Sequence, residues 1–299
     1  MRTVFLGTSE FAAAVLERLS ASDHRPALVL SRPNRPRGRG RRNAAPPVAE
    51  RARALGIALG QPESVNEPPV QALIAEAQPE IVVVCAFGAL IKEPLLSAHE
   101  LLNVHPSLLP RWRGAAPIER AIMAGDERTG VSIMRLTAGL DSGPVCLTAA
   151  ELIDLKDTYG SLATRLQELG GELLVRTLDL LAEGEAPAFA EQDEAGITYA
   201  EKIGPEDRLL DPSRPASELE RIVRALHPHI GARVALADGT LLGVHRARDS
   251  AERTPVGTLS TVAGRLLYGA CDRALELLEV QPSGGRPMDA AAYLRGHAC

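Results

Sequence analysis

Leu101–Asp141 reads LLNVHPSLLPRWRGAAPIERAIMAGDERTGVSIMRLTAGLD, and this stretch decides the fold. Leu101–Val104 has the apolar character of a buried strand, with Asn103 and His105 at its end. Two positions apart on an extended chain, their side chains leave the same face. A loop of Pro, Ser, Arg, Trp and Gly follows, then a short helical pattern over Ala116–Met123 that stops at Ala124–Gly125. A second apolar run, Gly130–Leu136, leads into Gly139-Leu140-Asp141. Two strand ends are thus expected to bring an amide, an imidazole and a carboxylate together, where open α/β sheets place their sites.

That trio suits addition of a nucleophile to a carbonyl carbon. An Asn amide donates to the oxygen as it becomes an oxyanion, a contribution typically worth about 2.7–4 kcal/mol. A His moves the proton near neutral pH, typically for roughly 10²–10⁴-fold. An Asp holds the ring and favours its protonated form. No Ser or Cys stands beside His105 in a nucleophile elbow, which favours direct transfer over a covalent enzyme intermediate. The same residues equally fit a His capping a strand and an Asp in a turn.

Outward from this stretch, Thr3–Leu6 reads as a first strand, Ser9 as the N-cap of a helix over Glu10–Leu19, and Ala27–Leu30 as a second strand. A doubly wound sheet begins this way. Only Gly7 stands where a dinucleotide fingerprint needs three glycines, and no acidic residue follows the second strand, which argues against a nicotinamide cofactor. Further elements are expected as helices over Pro47–Leu55 and Pro69–Ala77 and a buried strand over Pro79–Ala86. Gly88, just past that strand, either lets a ligand approach the backbone or makes an ordinary turn. Val145–Ile153 reads as an edge or antiparallel strand, and Thr158–Leu181 as a long amphipathic helix interrupted at Gly170-Gly171.

Ser31–Pro47, SRPNRPRGRGRRNAAPP, is strongly basic inside a chain of net charge −5. Its prolines and glycines exclude a regular helix or a central strand, so a long exposed loop is expected. Arg32, Arg35, Arg37, Arg39, Arg41 and Arg42 suit phosphate contact with RNA, and equally a solvated surface loop. Ala190–Asp211 has few apolar residues and reads as a linker. After a helix over Pro215–Leu226, short strands alternate with turns from Gly231, including a hairpin signal at Asp238-Gly239, and a closing helix is expected over Pro287–Arg295. Many short strands in so few residues suit a small open barrel. The expected division is therefore 1–189, a linker over 190–210, and 211–299.

The 299 residues are 45% hydrophobic but only 3% aromatic, so aliphatic side chains must fill the core. Cys85, Cys146, Cys271 and Cys299 are scattered with no metal spacing, which implies reduced thiols in a cytoplasmic protein and no metal. His227-Pro228-His229 lacks a nearby third ligand. No apolar run approaches the roughly 20 residues of a membrane span, and the N-terminus shows no apolar signal core followed by a cleavage site, so no signal peptide is expected.

The segment NVHPSLLPRWRGAAPIERAIMAGDERTGVSIMRLTAGLDSGPV resembles the signature region of the folate-dependent formyltransferases, and weaker matches run along nearly the whole chain. The resemblance implies a Rossmann-like formyltransferase domain followed by an oligonucleotide-binding-type barrel. It implies Asn103, His105 and Asp141 as catalytic residues. It also implies a folate pocket on Phe87, Gly88, Ala89 and Leu90 and on Ser107, Leu108, Leu109 and Pro110. The Arg32–Arg42 loop is similar to a family loop that engages a tRNA acceptor arm, although Ser31-Arg32-Pro33-Asn34 replaces the more usual Thr-Gln-Pro-Asp. At His227-Pro228-His229 the family carries Asn-Pro-Trp-Pro.

The implied reaction moves the formyl group of 10-formyltetrahydrofolate to the free amine of methionyl-initiator tRNA, on a monomer. Amino-sugar nucleotides, glycinamide ribonucleotide or water are the rival acceptors, and none of them needs a basic loop and a barrel. A non-catalytic RNA-binding protein would have no use for Asn103, His105 and Asp141 together.

Overall fold

A computed structural model describes residues 1–37, 42–185 and 188–296. By their contacts the residues form two compact units, the first of 1–114, 129–151 and 163–199 and the second of 115–128, 152–162 and 200 onward. This division by contacts follows different bounds from the expected 1–189, 190–210 and 211–299. Ala115–Arg128 and Leu152–Leu162 belong to the second unit, and the chain leaves the first for the last time after Tyr199.

In chain order the elements up to the signature stretch are β1 (Thr3–Gly7), α1 (Glu10–Ser20), β2 (Pro26–Leu30), β3 (Arg35–Arg37), β4 (Arg42–Ala44), α2 (Pro47–Ala54), β5 (Ala58–Gly60), α3 (Pro68–Glu76), β6 (Ile81–Cys85) and α4 (Leu95–Ala98). Then come β7 (Leu101–His105), β8 (Arg113–Gly114), α5 (Pro117–Ala124), β9 (Arg128–Arg135), β10 (Val145–Leu152) and α6 (Tyr159–Ala182). The main sheet has the order β10-β9-β7-β6-β1-β2-β5. The pairs from β5 through to β7 are parallel, and β9 runs antiparallel to β7. β6, IVVVC, is buried along its whole length, as an unbroken apolar run in a sheet covered on both faces should be.

The strand order reverses between β1 and β6, and such switch points open a crevice at the carboxyl ends of the strands. Gly7 closes β1 there. A Cβ on it would stand 2.6 Å from the Phe5 ring, 3.0 Å from Ala12 Cβ and 3.1 Å from the Cys85 carbonyl oxygen. Ser9 caps α1 as expected, accepting from Ala12 N–H at 3.2 Å. The buried face of α1 carries Phe11, Ala12, Val15, Leu16 and Leu19.

Two expectations about single elements fail. α6 is one continuous helix of 24 residues, and Gly170-Gly171 does not interrupt it. A Cβ on Gly170 would stand 3.1 Å from Val104 Cγ1, and one on Gly171 2.8 Å from Arg18 Cβ. The glycines let α6 approach β7 and α1, and that packing outweighs their low helix propensity. The basic stretch is not all loop. β3 and β4 pair antiparallel as a free-standing ribbon, with Arg35 opposite Ala44 and Pro36 opposite Asn43. Each strand of a two-stranded ribbon is an edge, where a proline is tolerated.

β11 (Tyr199–Ala200) straddles the division, and the second unit adds α7 (Ala216–Leu226), β12 (Ala232–Ala235), β13 (Leu241–Asp249), β14 (Leu259–Val262), β15 (Arg265–Gly269), β16 (Ala274–Gln281), β17 (Met288–Asp289) and α8 (Ala290–Gly296). Its sheet has the order β12-β13-β16-β15-β14, with β17 also on β16, and neighbouring strands run antiparallel. This is a small barrel-like β domain. Leu219, Ile222, Val223 and Leu226 of α7 join Val234, Leu242, Leu266 and Leu277 in its core. The Asp238-Gly239 hairpin stands where expected, with Gly239 at φ +80°. α5 packs on α7 within this unit, and Arg221 Nε donates to the Met123 carbonyl at 3.1 Å. Among the described residues no helix is long and apolar enough to cross a membrane.

Candidate active site

Asn103 and His105 are 8% and 4% exposed near the end of β7, and both reach Asp141. Their side chains therefore leave one face of the sheet, as their spacing requires. Asn103 Nδ2 donates to Asp141 Oδ1 at 3.3 Å, and His105 Nδ1 lies 3.6 Å from Asp141 Oδ2. That oxygen also accepts from Gly114 N–H at 2.9 Å. Asp141 is not carried by a strand end as expected. Because β9 is antiparallel to β7, with His105 opposite Ser132 and Leu102 opposite Arg135, β9 ends beside the start of β7. The loop after Leu136 brings Asp141 back, and Asp141 takes a left-handed backbone at φ +44°.

His105 Nε2 is 2.9 Å from the carbonyl oxygen of Trp112. A carbonyl only accepts, so Nε2 carries the proton and a neutral ring keeps its lone pair on Nδ1, the nitrogen facing Asp141. A protonated ring is met on both sides, by the Trp112 carbonyl and the Asp141 carboxylate. The arrangement leaves Nδ1 free to accept a proton beside the Asp141 carboxylate. Cys85, at the end of β6, is fully buried and burial pushes its thiol well up.

Three contributors escaped the sequence reading. The Trp112 carbonyl orients His105, Gly114 N–H anchors the Asp141 carboxylate, and Gln192 Nε2 donates to the carbonyls of Asp141 at 2.9 Å and Gly143 at 2.7 Å. The first two are backbone groups with no residue-type signature. Gln192 lies in the segment expected to be a linker, and its only signal was a polar residue among few apolar ones.

The residues expected to line a folate pocket divide in two. Phe87 turns its ring into the core at 4% exposure, and its carbonyl accepts from Thr8 Oγ1 at 2.7 Å. Gly88 is left-handed at φ +72° with open space where a Cβ would stand, and Leu90 is 66% exposed. Asn66 pins this strip by donating to the Leu90 carbonyl at 2.8 Å and accepting from Lys92 N–H at 2.9 Å. Exposed backbone beside open space is what a flat heterocycle needs in order to hydrogen-bond to the main chain.

Ser107 is fully buried and spends its hydroxyl on the Arg111 carbonyl at 2.6 Å. The Ser132 hydroxyl donates to the Ser107 carbonyl at 2.7 Å and accepts from Leu109 N–H at 3.1 Å. Leu108, Leu109 and Pro110 are partly exposed. Ser107 thus shapes the turn that presents them.

In the basic ribbon, Arg35 is exposed, whereas Arg32 is partly buried and donates to the Glu63 carbonyl at 3.0 Å. Arg37 and Arg42 face each other across the ribbon by backbone register, and Arg39 and Arg41 lie outside the described residues. In the second unit Arg248 and Arg265 are paired with Glu276, and Arg273 with Asp249 and Asp272. Arg246 and Arg286 are exposed. His229 Nε2 lies 2.9 Å from Glu119 Oε1, and its ring stacks on Tyr159 at 3.6 Å. Among the described residues no group of three or more His, Cys, Asp or Glu is placed to hold a metal ion.

A doubly wound sheet with an Asn-His-Asp cluster at the end of β7, continued by a small β domain, defines a class. Residues 1–178 match the formyl transferase model and residues 202–298 the formyl transferase C-terminal domain, so the chain belongs to the formyl transferase family. Within that family it is 41% identical to the methionyl-tRNA formyltransferase of Halorhodospira halophila, over 99% of this chain and 96% of the relative. It is 43% identical to the methionyl-tRNA formyltransferase of Roseobacter denitrificans, over 100% of this chain and 96% of the relative. Among solved structures, HypX from Aquifex aeolicus in complex with tetrahydrofolic acid shares the fold at a TM-score of 0.68 and 16% identity. That match covers 98% of this chain, which spans 47% of the HypX chain.

Proposed function

We propose that this chain transfers the formyl group of 10-formyltetrahydrofolate to the α-amino group of methionyl-initiator tRNA, giving N-formylmethionyl-tRNA for translation initiation. The observation that carries the reading is the convergence of Asn103 and His105 on Asp141 at one strand end, in a chain that matches tRNA-acting relatives along its whole length. The folate supplies the formyl carbon and departs as its amine. The acceptor amine of an aminoacyl ester is only weakly basic, so a useful fraction is uncharged near neutral pH and can attack.

Asn103 uses its second amide hydrogen to hold the carbonyl oxygen as charge builds on it. His105 takes the proton of the attacking amine at Nδ1 and returns it to the leaving nitrogen. Asp141 supports the imidazolium. The backbone at Gly88–Leu90 and the partly exposed Leu108–Pro110 turn hold the folate ring. The basic segment from Arg32 to Arg42 contacts acceptor-arm phosphates, and the barrel-like unit provides further RNA contacts. The enzyme acts as a cytoplasmic monomer with a catalytic first domain and a tRNA-binding second one.

The test is formyl transfer from 10-formyltetrahydrofolate to labelled methionyl-initiator tRNA, with Asn103→Ala alongside. Transfer by the parent and its loss in the variant support the reaction and the residue together. Folate binding without transfer to tRNA would overturn the acceptor and turn attention to amino-sugar nucleotides.

A further inference from the structure

His105 and Asp141 are both held from one short stretch of chain just before Tyr199. Gln192 spends both amide hydrogens on the carbonyls of Asp141 and Gly143, at 2.9 and 2.7 Å. Its Oε1 accepts from Arg113 Nε at 2.9 Å. These three contacts fix the amide's orientation, because carbonyls can be met only by the NH₂ group and a guanidinium only by the oxygen. Arg113 is 7% exposed, so water screens its hold on Gln192 little. On the His105 side, Thr198 Oγ1 accepts from Trp112 N–H at 2.9 Å, and the Trp112 carbonyl meets His105 Nε2.

Asp141 needs such support. It sits in a left-handed backbone conformation, φ +44°, in a loop outside regular structure, next to a 62% exposed Leu140. Conformations of this kind persist only when the surroundings over-determine them. Besides Gln192, the Asp141 carboxylate itself ties the loop to β7 and β8, through Asn103, His105 and Gly114. Gln192 instead holds the main chain of the loop, at the Asp141 and Gly143 carbonyls.

The geometry points to Gln192, oriented by Arg113, as a positioning residue that sets the Asp141 carboxylate against His105 and Asn103. It touches no reacting atom and acts through Asp141. The inference rests on the roles proposed above for those three residues. Gln192→Glu keeps the size of the side chain but turns an oxygen toward two carbonyls. Gln192→Ala removes the contacts, and Arg113→Lys keeps a donor near Oε1.

The experiment combines steady-state formyl transfer, thermal melting and amide hydrogen exchange at Gly114, whose N–H is held by Asp141. In both Gln192 variants kcat should fall by about 10- to 100-fold with an unchanged KM for the folate donor, as small misplacements of a catalytic group do. Arg113→Lys should lose less. Exchange at Gly114 should speed up in both Gln192 variants while exchange along β6 stays unchanged. A lower melting midpoint with kcat and Gly114 exchange like the parent's would overturn the proposal, leaving Gln192 a merely structural contact. If the parent transfers no formyl group, the functional reading fails, and Gly114 exchange still decides the positioning: faster exchange in the variants supports it and parental exchange overturns it.

Discussion

His105 donates through Nε2 to the carbonyl oxygen of Trp112 at 2.9 Å, and this contact decides which nitrogen is free to work. Trp112 stands at φ +64°, a left-handed turn in the loop that delivers its carbonyl to the ring. With Nε2 committed as a donor, Nδ1 is the basic atom and Asp141 is the charge beside it. The base is thus held by a main-chain group on one side and faced by a carboxylate on the other, two contacts that separate under mutation.

His105→Gln keeps a donor for the Trp112 carbonyl but has no basic nitrogen. Formyl transfer should fall by about 10²–10⁴-fold while the folate donor still binds, the usual worth of a general acid–base. Single-turnover rates beside equilibrium folate binding check this, and a variant within a few-fold of the parent would remove His105 from proton transfer.

Asn103→Ala should lower kcat by about 10²–10³-fold with the fold intact, because it removes a donor aimed where an oxyanion forms. Asn103→Asp should be at least as damaging, since it places a second carboxylate against Asp141 and repels the developing charge. A milder effect for Asp than for Ala, read in the same assay, would contradict the donor role.

Much of this site was legible because a strand's period of two and an apolar run put Asn103 and His105 on one face. The direction of β9 was not legible. Alternation reads the same in parallel and antiparallel strands, so Asp141 was expected at a strand end when a returning loop carries it. Gly170-Gly171 misled for the opposite reason. Propensity is local, whereas the space that a missing Cβ leaves against Val104 and Arg18 exists only in the folded chain. Gln192 was hidden because its partners are carbonyls and a guanidinium brought together by the fold, in a polar segment without periodicity.

Gly143→Ala should disable the site without touching a reactive group. A Cβ there collides with the Arg135 carbonyl, a backbone group that cannot step aside, and it would also crowd Thr137 Cγ2 at 2.9 Å. The loop must shift, and with it the Gly143 carbonyl that Gln192 holds. Expected is a loss of transfer of about 10²-fold, the scale of a misplacement near 1 Å. Transfer assays beside folate binding check it, and an active Gly143→Ala enzyme would show that the loop tolerates displacement.

Replacing Arg35, Arg37, Arg39 and Arg41 with Ser should weaken binding of methionyl-initiator tRNA and flatten its salt dependence. The slope of log K against log salt should shrink by roughly 0.7–0.9 for every phosphate that the ribbon no longer neutralises. Arg32 is left out because it braces Glu63 at the base of the ribbon. Binding isotherms across a salt series measure the slope, and an unchanged slope would take the ribbon out of the RNA interface.

The hydrogen bonds on Asp207 set the sign of a pH dependence in the second unit. Arg120 grips its carboxylate with two hydrogen bonds, at 2.7 and 3.0 Å, and Gly204 N–H adds a third at 2.8 Å. The Arg120 hydrogen bond is the largest cause holding this carboxyl below its ordinary value of 3.8, ahead of the Gly204 contact. A carboxyl depressed on folding binds its proton more readily in the unfolded chain. Its stabilisation is therefore fully present above the unfolded value, near 3.8, and drains away as pH falls through the lower folded value. Asp207→Asn should melt below the parent at neutral pH, and the gap should close as the medium is acidified below about 4. Melting midpoints of the two proteins across that range decide it, and a gap that stayed constant or widened in acid would mean that the Arg120–Asp207 pair does not stabilise this unit through its charge.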